Sequence, residues 1–117
     1  MKLITLSVPL LVAALVAVAP ATAAPKTANG TVGPGFTISL KLGGQKVTRL
    51  KPTTYRFTVT DKSSMHNFHL YGPGVDKVIT GVGFQGTKTA TVTLHKGTYH
   101  YRCDVHPSEM HGSFKVG

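Results

Sequence analysis

Residues 99–114 read Tyr-His-Tyr-Arg-Cys-Asp-Val-His-Pro-Ser-Glu-Met-His-Gly-Ser-Phe. The stretch holds the chain's single cysteine, Cys103, with His106 and Met110 following it. A thiolate, an imidazole and a thioether this close together are donors that suit a soft metal. In an extended strand Cys103 and His106 would lie about 10 Å apart and on opposite faces. The chain must therefore turn after Cys103, and Pro107 and Gly112 are residues that break regular pairing. Positions 103, 106 and 110 also carry the i, i+3, i+7 spacing of a buried helical stripe. A cysteine beside histidines can equally be a nucleophile with its base. This loop leaves the metal, structural and catalytic readings open, and a fourth donor elsewhere would decide between them.

Outward from the loop the hydrophobic period is two. Tyr99, Tyr101 and Cys103 share one face of a strand over residues 98–103, and residues 113–116 begin a last strand. Residues 87–94 alternate Ala90, Val92 and Leu94 with Thr89, Thr91 and Thr93. Tyr55, Phe57 and Val59 alternate with Arg56, Thr58 and Thr60. Phe36, Ile38, Leu40 and Leu42 alternate with Thr37, Ser39 and Lys41, which predicts one buried and one wet face. Residues 45–50 and 65–70 are shorter candidates. Residues 75–86 are glycine-rich, with Val78, Ile79, Val82 and Phe84 as their apolar content. No segment sustains a 3.6 period. The pattern predicts an all-β fold, a single antiparallel Greek-key β-sandwich of about seven or eight strands.

The start of the chain reads as a targeting segment. Lys2 precedes an apolar run over residues 10–18, and Ala21-Thr22-Ala23 is an A-x-A cleavage site. Residues 1–23 are expected to be a secretory signal peptide, 24–34 a flexible leader and 35–117 the folded domain. A cleaved product of this length makes one domain with a modest core and no membrane span. One cysteine forbids an internal disulfide. An exported free thiol is a liability unless it is buried, paired with another chain or bound to metal. The formal charge is +9 at pH 7, from 13 basic and 4 acidic residues. The lysines are spread rather than clustered, which suits a solvated surface or attraction to an acidic partner. Export, and the lack of a basic helix or stacking array, speak against nucleic acid.

The best candidate for a fourth donor is His66, in Ser64-Met65-His66-Asn67-Phe68-His69-Leu70. Strand ends gather at the poles of a sandwich, so His66 and the loop over residues 103–110 can meet at one of them. Two imidazoles, one thiolate and one weak thioether make the trigonal set that holds copper for electron transfer. Here the chain resembles the cupredoxins, type 1 blue copper proteins of the plastocyanin, pseudoazurin and amicyanin kind. The resemblance is carried by His66-Asn67-Phe68 and by Gly97-Thr98-Tyr99-x-Tyr101-x-Cys103-x-x-His106-Pro107-x-x-Met110-x-Gly112. The strand pattern extends it from about Phe36 to Val116.

Position by position, the resemblance implies His66, Cys103, His106 and Met110 as ligands of one copper ion cycling between Cu(I) and Cu(II). It implies Asn67 as a supporting hydrogen-bonding group near the cysteine loop. The three residues between His106 and Met110 form a gap at which the family varies. A filled coordination shell leaves no place for substrate, so an electron carrier rather than an enzyme is expected. The expected carrier is a monomer, periplasmic or extracellular, meeting redox proteins at an apolar patch beside His106 and Pro107. Residues 72–74 and 82–84 are candidates for that patch. Lys41, Lys62, Lys77, Lys88 and Lys96 fall on predicted wet faces or turns, which points to partners with an acidic docking surface. His69, His95, His100 and His111 read as solvated. The rival readings are a copper-binding or copper-delivery protein without an electron-transfer partner, a zinc site and a metal-free adhesion sandwich. A thioether is a poor zinc ligand, and a metal-free sandwich leaves the thiol beside two histidines unexplained.

Overall fold

A computed structural model describes residues 2–17 and 23–117. Residues 2–17 carry no regular secondary structure, and their apolar side chains, Leu3 to Val16, are exposed. Val18 of the apolar run and Ala21 and Thr22 of the expected cleavage site lie outside the described residues. Among those described, no helix is long and apolar enough to cross a membrane.

The described residues form ten strands. They are β1 (Lys26–Val32), β2 (Ile38–Leu42), β3 (Gln45–Lys46), β4 (Arg49–Leu50), β5 (Thr54–Asp61), β6 (Phe68–Gly72), β7 (Val75–Thr80), β8 (Gly86–Thr93), β9 (Gly97–Arg102) and β10 (His111–Val116). They pair into two five-stranded sheets, ordered β3-β2-β1-β5-β8 and β4-β10-β9-β6-β7. The all-β sandwich expected from the period-two pattern is the fold.

Three expectations need correction. First, residues 26–32 belong to no flexible leader: β1 sits in the middle of the first sheet. Its core positions are Ala28, Gly30 and Val32, so it shows no strong apolar alternation. A side chain at Gly30 would be crowded, because a Cβ there would press on the Phe68 ring and on Val59 at 3.0 Å. Second, the strands number ten, because residues 45–50 split into β3 and β4 and the glycine-rich segment contains β7. Third, the pairing is not wholly antiparallel. β1 runs parallel to β5, and β4 runs parallel to β10. The chain crosses from one sheet to the other between β3 and β4, so β4 reaches the second sheet in the direction of β10.

The core lies between the sheets. Phe68 stacks on Tyr101 with centroids 5.5 Å apart, and Tyr99 stacks on Phe114 at 5.6 Å. Outer faces are polar. Thr54, Thr58 and Thr60 of β5 meet Thr93, Thr89 and Thr87 of β8 hydroxyl to hydroxyl at 2.8, 3.1 and 3.3 Å. Such β-branched cross-strand pairs favour a pleated surface with one face wet.

The connectivity sends the turns after β1, β5, β7 and β9 to one pole. The turn after β6 goes to the other, where the Tyr99 hydroxyl donates to the Pro73 carbonyl at 2.6 Å and accepts from the His95 amide at 2.9 Å. Residues 72–74 therefore lie at the far end from Cys103 and are no part of a patch beside His106.

Gly112 of β10 pairs with Tyr101 of β9, and a Cβ at Gly112 would overlap the Tyr101 ring. Tyr101 is 2% exposed and locked against Phe68, so it has no room to give. Gly112→Ala is expected to destabilise the fold by about 1–3 kcal/mol, the usual cost of overpacking. A urea denaturation midpoint indistinguishable from wild type would show that the ring can move aside.

Candidate metal centre

The turn after β5 is built by its own side chains. The Asp61 carboxylate accepts from the Ser63 amide at 3.1 Å, and the Ser63 hydroxyl accepts from the Met65 amide at 3.2 Å. The His66 amide donates to the Ser63 carbonyl at 3.3 Å. Short polar side chains that bond backbone two residues on turn the chain sharply. This turn places His66 just ahead of β6, buried and 4% exposed.

The loop after β9 is closed through one residue. The Cys103 amide donates to the Met110 carbonyl at 3.0 Å, and the Met110 amide donates to the His106 carbonyl at 2.9 Å. The second bond spans i to i+4, a single helical turn that goes no further. The spacing of positions 103, 106 and 110 therefore belongs to a turn and not to a buried helix. Cys103 and Met110 are fully buried, and His106 is half-buried.

These two loops bring the donor atoms together. The Nδ1 atoms of His66 and His106 lie 3.1 Å apart. The Cys103 Sγ lies 3.8 Å from the first and 3.9 Å from the second. A triangle with those edges has a circumradius of about 2.1 Å, within the span of metal–imidazole and metal–thiolate bonds. Two imidazole nitrogens and a thiolate equidistant from one point fit a single copper ion. Among the described residues, this is the one group of three or more His, Cys, Asp or Glu side chains that could hold a metal ion. Met110 enters the core from the same loop, and its thioether is the remaining donor of the expected set.

Asn67 ties the two loops together. Its Oδ1 accepts from the Asp104 amide at 2.7 Å, and its Nδ2 donates to the Asp104 carboxylate at 2.9 Å. The sequence pattern by itself does not single out Asp104. A signal was present: it follows Cys103 directly and is one of only 4 acidic residues in a strongly basic chain.

His69 is not the solvated histidine expected. Its side chain is 16% exposed, with Nδ1 on Asp104 at 2.9 Å and Nε2 on Asp76. Alternation places it on the outer face of its sheet, but alternation cannot show that two acidic residues from other segments converge there. Burial alone would lower the His69 pKa, yet the hydrogen bonds and charges of Asp104 and Asp76 outweigh it and the net shift is upward. Burial would likewise raise the Asp104 pKa. Hydrogen bonds from His69, Asn67 and Arg102, with the His69 charge, instead hold it down at about 2. His95, His100 and His111 are exposed, as expected, and the His111 Nδ1 bonds the Pro107 carbonyl at 3.0 Å.

Phe36 is a second residue that the sequence reading misplaced. Expected on the buried face of a strand, it stands before β2 and is 58% exposed. Its ring packs against both imidazoles, with centroids 5.5 Å from His66 and 4.9 Å from His106.

The fold is that of solved cupredoxin structures. Among solved structures the chain is similar to rusticyanin from Thiobacillus ferrooxidans, with 24% sequence identity over 80% of this chain and 79% of that chain, at a TM-score of 0.52. It is also similar to a rusticyanin variant, with 22% identity over 80% of each chain and a TM-score of 0.54. A further rusticyanin structure, described as that of a copper protein, gives 24% identity, the same 80% coverage of each chain and a TM-score of 0.52. No family model matches the chain, and no curated protein matches it.

The His69 network gives stability a pH dependence of known sign. A histidine whose folded pKa is raised contributes stability that is fully present below its unfolded value of 6.5 and is lost as pH rises through the folded value. Wild type should therefore exceed His69→Gln in urea midpoint at about pH 5.5, and the gap should narrow by about pH 9. A gap that is constant or widens over that range would mean that His69 carries no charge in the folded protein.

Proposed function

We propose that this chain is a small exported type 1 (blue) copper protein that shuttles single electrons between redox partners. The observation that carries this reading is the close triangle of His66 Nδ1, His106 Nδ1 and Cys103 Sγ, with edges of 3.1, 3.8 and 3.9 Å, small enough for one ion to reach all three at bond length. The fold is that of solved structures one of which is described as a copper protein, in agreement with that reading. Bound there, copper supplies a one-electron couple between Cu(II) and Cu(I). His66, Cys103 and His106 would hold the ion, with the Met110 thioether as the proposed fourth and weaker donor. Both loops are pinned by backbone and Asn67 hydrogen bonds, so the donors keep their places whichever charge the site carries. Burial of Cys103 and His66 keeps water off the thiolate and tunes the potential. With the shell filled by side chains, no position is left for a substrate, which favours a carrier over an enzyme.

Electrons are proposed to enter and leave through the pole beside His106. Phe36, Met65, Val82 and Val105 are all more than half exposed, and all four stand in the turns gathered there. Exposed apolar residues clustered at one end mark an interaction surface. Lys41, Lys62, Lys77, Lys88 and Lys96 are exposed, and the chain's charge of +9 suits partners with an acidic docking surface. Export is proposed from the apolar run and the A-x-A site, with cleavage after Ala23. It would leave the copper protein periplasmic or extracellular.

The purified protein is expected to bind one Cu(II) and turn intensely blue through a thiolate-to-copper band. Cys103→Ser should lose the colour and keep the fold. Met110→Leu should stay blue with a raised reduction potential, because an axial donor stabilises Cu(II) more than Cu(I). A colourless copper complex of the wild type would refute the type 1 assignment. A potential that moves with His111→Ala and not with Met110→Leu would transfer the axial role to His111.

The charge makes a separate prediction about partners. Stopped-flow decay of the blue band against an acidic cytochrome should slow as salt rises, since a Debye length of about 10 Å at 0.1 M screens the attraction. With a basic cytochrome the rate should start low and quicken. Flat salt dependence with both would assign the lysines to solubility alone.

A further inference from the structure

Phe36 combines two properties that do not normally go together. It is an aromatic side chain 58% exposed to solvent, and yet it is packed on the two imidazoles of the site. The three rings form a closed cluster. Phe36 stands edge-on to His106 with an interplanar angle of 75°, His106 stands edge-on to His66 at 80°, and Phe36 is tilted at 57° to His66. Edge-to-face contacts at these separations are specific in direction and not just apolar cover.

The turn that carries Phe36 is built to hold it there. The Gly33 amide donates to the Thr37 carbonyl at 2.8 Å, and the Thr37 hydroxyl donates to the Pro34 carbonyl at 2.9 Å. Gly33 and Gly35 take positive φ of 72° and 66°, which gives the turn its tightness. At its base the Lys62 amide donates to the Val32 carbonyl at 2.9 Å. That bond ties the Phe36 turn to the turn that leads into His66.

We propose that Phe36 is a positioning residue that clamps the rings of His66 and His106 and closes the site to small ligands and thiol reagents. His106 is only half-buried, so the ring beside it is the cover on that side. Cys103 is fully buried, with its sulfur 3.8 and 3.9 Å from the two imidazole Nδ1 atoms, so parting the rings opens a route for reagents to it. Removing Phe36 frees the rings to part more often. The spectroscopic part of the test rests on the copper reading, and the thiol part does not.

The experiment compares wild type with Phe36→Ala, Phe36→Leu and Val78→Ala. Val78 is an exposed apolar residue on β7, paired with His69 and away from the imidazole cluster. In the copper-free proteins, alkylation of Cys103 by iodoacetamide should quicken on the order of tenfold in Phe36→Ala, as expected from losing two ring contacts of ordinary strength. Phe36→Leu, which restores bulk but not the edge-to-face contacts, should return only part of the protection, and Val78→Ala should match wild type. In the copper-loaded proteins, added azide should change the visible spectrum of Phe36→Ala and leave that of wild type unchanged. Alkylation and azide responses in Phe36→Ala equal to wild type would overturn the proposal. So would an equal increase in Val78→Ala, which would signal general loosening. Should the wild type fail to turn blue with copper, the copper reading falls and the alkylation rates alone decide the role of Phe36.

Discussion

The two hydrogen bonds between Asn67 and Asp104 make the site possible. The ladder between β6 and β9 runs from Tyr71 paired with His100 to His69 paired with Arg102, and there it stops. Beyond that rung the strands must part to make room for His66 and Cys103, and parted strands lose their backbone partners. Asn67, 3% exposed, supplies the missing rung from its side chain: its amide accepts and donates much as a peptide group does. The strands are thus held together at the point where they diverge. Arg102 and His69 hold the Asp104 carboxylate from the outside. The thiolate loop is in this way tied to both β6 and β7.

How much of this is legible in the sequence depends on whether a residue's role is written in its own type. Cys103, His106 and His66 are donors by nature, and two of them lie in one short loop, so the sequence alone could bring them together. β5 and β8 announce themselves because large apolar residues alternate with threonine. β1 is silent because its place in the middle of the sheet demands small residues: Gly30 leaves the space that Phe68 and Val59 occupy. β7 is silent because it is an edge strand, with Asp76, Lys77 and Val78 all exposed. The roles of Asp104, His69 and Phe36 depend on what stands across from them. Phe36 in particular fits the alternation of β2, but the strand begins only at Ile38, and the ring follows the turn to the imidazoles instead of the core.

The distribution of charge follows from the same constraints. Of the 4 acidic residues, Asp76 and Asp104 are engaged by His69, and Asp61 is buried, holding the turn ahead of His66. Only Glu109 is left as an exposed carboxylate outside these contacts. The lysines face water on both sheets and outnumber the exposed acids, so the surface is predominantly positive. A surface mainly of one sign keeps copies of the chain apart and attracts molecules of the opposite sign over several ångströms.

The pleat decides which face Met110 takes. Arg102 pairs with His111, and both lie on the outer face of their sheet. The Cys103 amide bonded to the Met110 carbonyl continues that register by one position. Side chains alternate along a strand, so Cys103 and Met110 both turn inward, and both are fully buried. Directly opposed residues on one face of an antiparallel pair have Cβ atoms about 4.5–5.5 Å apart. Register therefore turns the Met110 side chain to the same inner face as Cys103, whatever else the loop does. The parity is strict: shifting the return of the chain by one residue would send Met110 to the outer face and bring His111 in. The i to i+4 bond from Met110 to His106 fixes the same length from the other side. The three residues between His106 and Met110 thus satisfy two conditions at once, a closed turn around His106 and an inward side chain at position 110.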